Sequence, residues 1–380
     1  MLPPPVLIEP DDRRLLRKSV ADFTARHGAA AAVRTRRKSE LGYDPAVWRE
    51  MAGLGWLQLA IPEARGGLGL GFADLAALHE EIGKSALPEP LASVGVLAAG
   101  ALAASDTRFA VARLERLMAG ELLATLAWQG RTGVITAEAV TATAERDGSG
   151  YRLRGEARFV PAAAGAQGLI VAARVDSGLA LFWVDPKADG IALALQSAAD
   201  YSRVADVALR GVAVNADAML VGPAVGMAVL DRLLDRGRVA VAAESVGVMH
   251  AILATTLDYL RTRQQFGKPI GGFQALQHRA VDLYVQIELS RSAVLKAAAA
   301  IDEGSADVPL LAAGVKARCS NAAVQVAGQS VHLHGAIGLT EEIDLSILIR
   351  RAHFLSAWLG NGESGLKRFG ALRGIEGRAA

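Results

Sequence analysis

Apolar residues recur every three to four positions over the first third of the chain. They alternate with polar ones over the second third, then return to the helical period for the remainder. After Asp11-Asp12, an acidic start that suits the positive end of a helix, Leu15, Leu16, Val20 and Phe23 fall at helical spacing. Val47, Met51 and Leu54 repeat that spacing ahead of Gly55. From about residue 121 the pattern shortens into β-branched or alternating runs at 132–136, 140–145, 151–160, 169–175, 179–184, 191–195 and 204–209. Turn clusters such as Asp147-Gly148-Ser149-Gly150, Asp176-Ser177-Gly178 and Ala188-Asp189-Gly190 separate them, which predicts an antiparallel barrel or sandwich. After Gly222-Pro223 a helix is predicted over 227–263, carrying Leu230, Leu233, Leu234, Val241, Val248, Ile252 and Leu257. Further helices are predicted over 276–303, 310–333 and 342–358. Several are alanine-rich and apolar on more than one face, as in a bundle core or an oligomer interface. The expected class is α+β in three units: helices over 1–120, an antiparallel β domain over 121–222 and a four-helix bundle over 223–380.

Composition narrows the function classes. Of 380 residues, 52% are hydrophobic and 21% charged, a globular balance. With 41 basic against 39 acidic residues the net charge is +2, which excludes nucleic-acid or membrane binding driven by bulk charge. The single cysteine, Cys319, makes no internal disulfide and no cysteine metal site, and reducing cytoplasm is the expected compartment. The start, Pro3-Pro4-Pro5 and then Asp11-Asp12, lacks the pattern of a secretory signal, and the weakly polar run at 91–104 is too short to span a bilayer. His332 and His334 have a spacing some metals use, but no third ligand accompanies them, so no metal is expected. The basic run Arg34, Arg36, Arg37 and Lys38 reads as a solvated helix face. The glycine-rich loop at 62–71 lacks the strand and βαβ unit that a dinucleotide fingerprint requires.

The stretch that carries most information is Arg261-Thr262-Arg263-Gln264-Gln265-Phe266-Gly267-Lys268-Pro269-Ile270-Gly271-Gly272-Phe273-Gln274. It is a basic turn between two predicted helices, and an arginine there offers a two-pronged fork to a phosphate or carboxylate. Gln274 and Gln277 stand at i, i+3, on one face of the second helix. The residue types alone also suit an ordinary helix–helix loop. The full string closely resembles the pyrophosphate-gripping turn of the acyl-CoA dehydrogenase family. Two further anchors resemble that family: Val331-His332-Leu333-His334-Gly335-Ala336-Ile337-Gly338-Leu339-Thr340, and Asp200-Tyr201-Ser202-Arg203. The 62–71 loop is similar to the family loop before its second long helix. The resemblance covers essentially the whole chain and implies the family order of helical domain, β domain and helical bundle. It implies a reaction in which a carboxylate takes the α-proton of an acyl-CoA thioester and a hydride passes to FAD, with electron-transfer flavoprotein as acceptor. It also implies FAD held between subunits, with Arg263, Phe266, Gln274, Gly335 and Gly338 at its phosphates and adenine.

The chain departs from the family pattern at the flavin ring, in the glycine turn and at the base positions. Where members usually carry Thr-Glu-Pro-Gly beside the flavin ring, this sequence reads Leu126-Ala127-Trp128-Gln129-Gly130, and the usual Trp-x-Thr/Ser is Phe159-Val160-Pro161. In the glycine turn, His332 replaces a glutamine and Ala336 a glycine. Both positions where members place the base are apolar, Leu359 and Gly237. Nearby carboxylates, Glu244 and Asp235, are the remaining candidates; Asp235 is expected to point away, and Glu244 reads more simply as a structural group. The expectation is therefore a subunit that completes FAD binding in an α2β2 heterotetramer with a larger sister subunit. An autonomous homo-oligomeric dehydrogenase with a relocated base and a scaffold that has lost the flavin are the alternatives. The resemblance points to bulky or dicarboxylic acyl groups, such as steroid side chains or pimeloyl-type chains.

Overall fold

A computed structural model describes residues 9–27, 29–36, 39–176 and 178–375. Ser177 of one predicted turn, Arg37 and Lys38 of the basic run, and the N-terminal prolines lie outside them.

Six helical segments come first: α1 (Asp11–His27), α2 (Ala29–Arg36), α3 (Pro45–Gly53), α4 (Phe72–Ser85), a π-helical stretch Ala92–Ala98 running into α5 (Ala99–Ala103), and α6 (Arg108–Met118). Their starts follow from local chemistry. Asp44 Oδ1 accepts the Ala46 N–H at 2.8 Å ahead of Pro45, and Thr107 Oγ1 accepts the Ala110 N–H at 3.2 Å. Arg36, expected on a solvated face, is buried instead and forms an ion pair with the buried Glu89 at 2.7 Å.

The β region holds β1 (Ala124–Ala127), β2 (Thr143–Asp147), β3 (Gly150–Pro161), β4 (Gly168–Val175), β5 (Gly178–Val184), β6 (Ile191–Ser197), β7 (Arg203–Asn215) and β8 (Met219–Val221). They form one sheet in the order β6-β7-β3-β2-β4-β5-β8, with β1 paired to β4. Neighbours along that order pair antiparallel except β2 with β4, which meet in parallel at Thr143 and Arg174; β1 also joins β4 in parallel, so the sheet is mixed. The run expected as a strand at 132–136 is a loop. Tyr151 and Phe182, from β3 and β5, meet with ring centroids 5.2 Å apart beside the sheet's own apolar cluster.

The last part contains α7 (Pro223–Thr262), a short hairpin β9 (Gln264–Gln265) and β10 (Lys268–Pro269), then α8 (Gln274–Asp302), α9 (Val308–His334), α10 (Leu345–Ala357) and α11 (Gly362–Leu372). The first four of these helices make the expected bundle, and α11 packs on α9. By length and composition α7 could cross a membrane, but 78% of its most apolar window is buried, which makes it the core helix here. Leu230, Leu234, Val241, Val248 and Ile252 are wholly buried along it, each contributing about 1.5–3 kcal/mol.

Close contacts fix the N-terminal helices to the bundle. A side chain at Gly83 of α4 would lie 2.2 Å from the Glu244 carbonyl oxygen, and one at Gly247 of α7 would lie 1.8 Å from that of Glu80. Only glycine lets these helices cross so closely. Asp302, closing α8, accepts the Ala73 N–H at 3.0 Å and also the Phe72 N–H, and so caps α4 from another unit.

Candidate functional site

Helices α7 and α9 run in the same direction and end side by side, where the Tyr259 ring stacks on His334 at 4.5 Å between centroids. Beyond Tyr259 the chain leaves α7 at Arg263 and turns at once through the β9–β10 hairpin. Its tip, Phe266 and Gly267, has φ of 53° and 78°, the pair of positive angles that a two-residue hairpin turn requires. Glycine takes that angle freely, whereas phenylalanine does so at a cost of about 1–3 kcal/mol. Phe266 is nevertheless 90% exposed, so burial within this chain does not offset that cost. The hairpin is braced by the Ile270 N–H to the Arg263 carbonyl at 2.8 Å, and Phe266 meets Phe273 edge-on at 6.0 Å. Arg263 itself is exposed, and its guanidinium makes no hydrogen bond or ion pair among the described residues.

Gln274 is exposed at the start of α8, and Gly335 is exposed at the end of α9 with φ 67°. Gly338 is buried, and a side chain there would come within 3.0 Å of the Val331 carbonyl oxygen. The structure thus brings Arg263, Phe266, Gln274, Gly335 and Gly338 to one end of the bundle. Most of them are exposed, and the Arg263 guanidinium is unpaired among the described residues at the end of the bundle where α8 begins. That donor set fits a phosphate.

A large cavity lies elsewhere. A space of about 610 Å³ opens between the sheet and the α10–α11 corner, lined among others by Gln129, Phe159, Pro161, His353, Trp358 and Lys367. It has the size of a small-molecule site. None of the five residues at the bundle end lines it. Several of the donors that line it are already engaged. Gln129 Nε2 donates to the Val134 carbonyl at 3.2 Å, the Phe159 N–H donates to Asp206 Oδ1 at 3.1 Å, and Pro161 has no N–H. Asn361 and Ser364 are tied to each other's backbone at 2.9 Å in the cap of α11. At Gln129, Phe159 and Pro161, the positions the resemblance assigns to the flavin ring, the donors are thus engaged or missing.

Beside it lies a hole of only about 30 Å³, bordered by Tyr43, Ser93, Arg351, Phe354 and Trp358, room for a water and not for an acyl chain. The two positions expected to hold a base meet nearby. A side chain built on Gly237 would lie 2.8 Å from Leu359 Cδ1 and 2.7 Å from Leu97 Cδ2, so the two face one another across an apolar contact. Leu359 sits at φ 60° and is buried.

Two buried cations pin that turn. Arg238, wholly buried, donates through Nε to the Leu359 carbonyl at 3.1 Å, through Nη1 to Asp235 Oδ1 at 2.6 Å, and also to the Ile135 carbonyl. Burial lowers its pKa to about 10. Lys316 Nζ has four acceptors in range for its three hydrogens: Ser320 Oγ at 2.7 Å and the carbonyls of Leu355, Ser356 and Gly360 at 2.9, 3.2 and 2.6 Å. Burial lowers its pKa to about 7.

The candidate carboxylates are both engaged. Asp235, expected to point away, turns into a buried cluster: it takes Arg238 on one side and Arg368 Nη2 at 3.0 Å on the other. Glu244 accepts from Arg351 Nε at 2.7 Å, and Arg351 Nη1 donates to Asp200 at 2.6 Å. Burial raises the Glu244 pKa while Arg351 pulls it down. Next to them His79 is fully buried with neither ring nitrogen partnered, and burial, then Arg351, lower its pKa to about 3. Burial pushes the Cys319 thiol up to about 12, so it is no nucleophile. No cluster of three metal-ligating side chains occurs among the described residues.

Sequence reasoning assigned no role to Arg238, Lys316, Arg351 or His79. Charged neighbours such as Glu80, Arg236, Arg318 and Arg350 make each look like part of a polar helix face, so the sequence carried little signal.

Two family models match: "Acyl-CoA dehydrogenase, C-terminal domain" over residues 224–371 and "Acyl-CoA dehydrogenase, N-terminal domain" over residues 10–107. Acyl-CoA dehydrogenase IpdE2 of Mycolicibacterium smegmatis is 30% identical over 362 residues, 95% of this chain and 98% of its own. Among solved structures, a variant of the Tcur3481–Tcur3483 steroid ACAD is 33% identical with TM-score 0.87, covering 96% of this chain and 98% of its own. The ChsE4–ChsE5 complex from Mycobacterium tuberculosis is 27% identical with TM-score 0.88, covering 97% and 99%.

Proposed function

Because the chain belongs to the acyl-CoA dehydrogenase family, whose named members are oxidoreductases acting on the CH–CH bond of acyl-CoA, we propose that it is the subunit completing FAD binding in a heteromeric acyl-CoA dehydrogenase. The observation that carries this reading is the contrast between Arg263 and Leu359. The guanidinium that suits a phosphate is exposed and unspent, while the positions that suit a base are apolar and packed together.

In this reading Arg263 grips the pyrophosphate of an FAD seated in a neighbouring subunit, and Phe266 inserts with the hairpin tip. Gly335 lets backbone approach the dinucleotide closely, and Gln274 offers its amide there. Bound FAD supplies the hydride acceptor. The neighbour supplies the ring contacts and the carboxylate that takes the α-proton, because in this chain Glu244 and Asp235 are held by Arg351, Arg238 and Arg368. Electron-transfer flavoprotein is the acceptor this scheme calls for. The similar Tcur3481–Tcur3483 pair is described as a steroid enzyme, which supports a bulky, steroid-type acyl-CoA as the substrate class.

Native mass spectrometry of the chain co-expressed with a homologous larger subunit tests the reading. A mixed tetramer with two FAD is expected. A homotetramer with four FAD that is bleached rapidly by acyl-CoA would overturn it.

A further inference from the structure

We propose that Tyr259 and His334 form the joint that positions the phosphate grip, setting the Arg263 hairpin against the Gly335–Leu339 turn. The proposal rests on the reading of Arg263 as a phosphate ligand. Tyr259 lies one helical turn before Arg263, and its carbonyl accepts the Arg263 N–H at 2.9 Å, which closes α7. His334 is the last residue of α9 and directly precedes Gly335. The two rings lie 4.5 Å apart between centroids with planes 24° apart. The spacing of the two helix ends is therefore fixed by two rigid plates rather than by flexible side chains.

The imidazole carries more information than its packing. Its Nδ1 is 2.8 Å from the Ser330 carbonyl, which can only accept, so Nδ1 holds the hydrogen and Nε2 is a bare acceptor. That Nε2 is buried and has no partner. Burial also lowers the pKa of the ring, which keeps it neutral. An unpartnered buried acceptor is a cost that a leucine or phenylalanine would avoid. What the imidazole adds is orientation: the bond to Ser330 fixes the ring plane on which Tyr259 lies. A second link, Arg279 Nη1 to His332 Nδ1 at 3.4 Å, ties α8 to the same end of α9. The three helix termini that bear Arg263, Gln274 and Gly335 are thus registered to one another before any ligand arrives.

The holo-complex, purified with its FAD, serves for the test. FAD affinity is read by release of flavin fluorescence, and folding by thermal melting. Tyr259→Leu and His334→Leu should each weaken FAD about three- to tenfold, the worth of one aromatic pair. Tyr259→Phe, which keeps the plate, should hold FAD as wild type does. In an Arg263→Ala background Tyr259→Leu should have little further effect, because the joint acts through the guanidinium. Leucine variants that melt earlier but bind FAD as wild type would make the pair structural and overturn the proposal. So would failure of both leucine variants to fold while Tyr259→Phe folds normally. If Arg263→Ala alone retains FAD fully, the phosphate reading fails first, and this proposal falls with it.

Discussion

The end of the bundle around Arg263 and the corner around Leu359 use polar groups in opposite ways. At the bundle end a guanidinium, an amide and an aromatic ring stand exposed, with the charge unmatched. At the corner the arginines near the base positions are wholly or largely buried and paired, Arg238 and Arg368 sharing Asp235 and Arg351 holding Glu244 and Asp200, while the buried Lys316 is held by carbonyls and a hydroxyl. Unmatched donors at a surface cost little and remain available to a ligand. Matched ones in a core are costly to disturb and hold an arrangement fixed. A chain can therefore lose proton-abstracting groups and keep the fold, provided the cations left behind find other acceptors. Here they find main-chain carbonyls.

The sharpest way to break this contrast is Arg238→Met. It leaves the Leu359 and Ile135 carbonyls without their donor and removes one of the two partners of Asp235. It should cost about 3–5 kcal/mol of stability, read as an earlier unfolding midpoint in denaturant. Unchanged stability would mean that the corner is not held by its buried charges. Arg263→Ala should do the converse, leaving the melting temperature of the chain unchanged and weakening FAD binding in the complex by about 1.5–3 kcal/mol, or one to two decades. A titration with wild-type affinity would remove the bundle end from the flavin site.

Acid should act on the buried side through His79. His79 titrates near 3 in the fold and near 6.5 unfolded, so between those values the unfolded chain binds a proton that the native chain does not. Stability should therefore fall as pH drops through that window, by up to about 1.4 kcal/mol per pH unit. His79→Leu should flatten the slope measured by denaturant unfolding between pH 6.5 and 4.5; an unaltered slope would assign the acid response to other groups. The smallest effect belongs to Phe266→Asn, which puts the favoured Asn-Gly pair at the hairpin tip. The isolated chain should change stability by less than about 1 kcal/mol while assembly weakens, as sedimentation would register.

Periodicity carried far in this chain. The 227–263 pattern became α7, the runs near 151–160 and 179–184 became β3 and β5, and the Arg263 motif fell on the turn between two helices. Other features had no local signature. Ala124–Ala127 is a strand buried along its whole length, and four residues without alternation look like any apolar stretch. The short α11 follows an Asn361–Ser364 cap that only geometry reveals. Arg36 looked like one of four solvated cations until folding brought Glu89 to it. The corner was least legible, because Arg351 finds its partners 107 and 151 positions away. Leu359 and Gly237 could be read as missing carboxylates, but not as neighbours.

The hairpin tip also bears on the life of the chain before assembly. Phe266 is almost fully exposed, and Val281, Val285 and Leu289 add an uncovered apolar row along one side of α8. In the proposed heteromer another subunit covers them, and a newly made copy still lacking it would be a natural client for chaperones and proteases. Its abundance in the cell would then track the supply of that other subunit more closely than its own rate of synthesis.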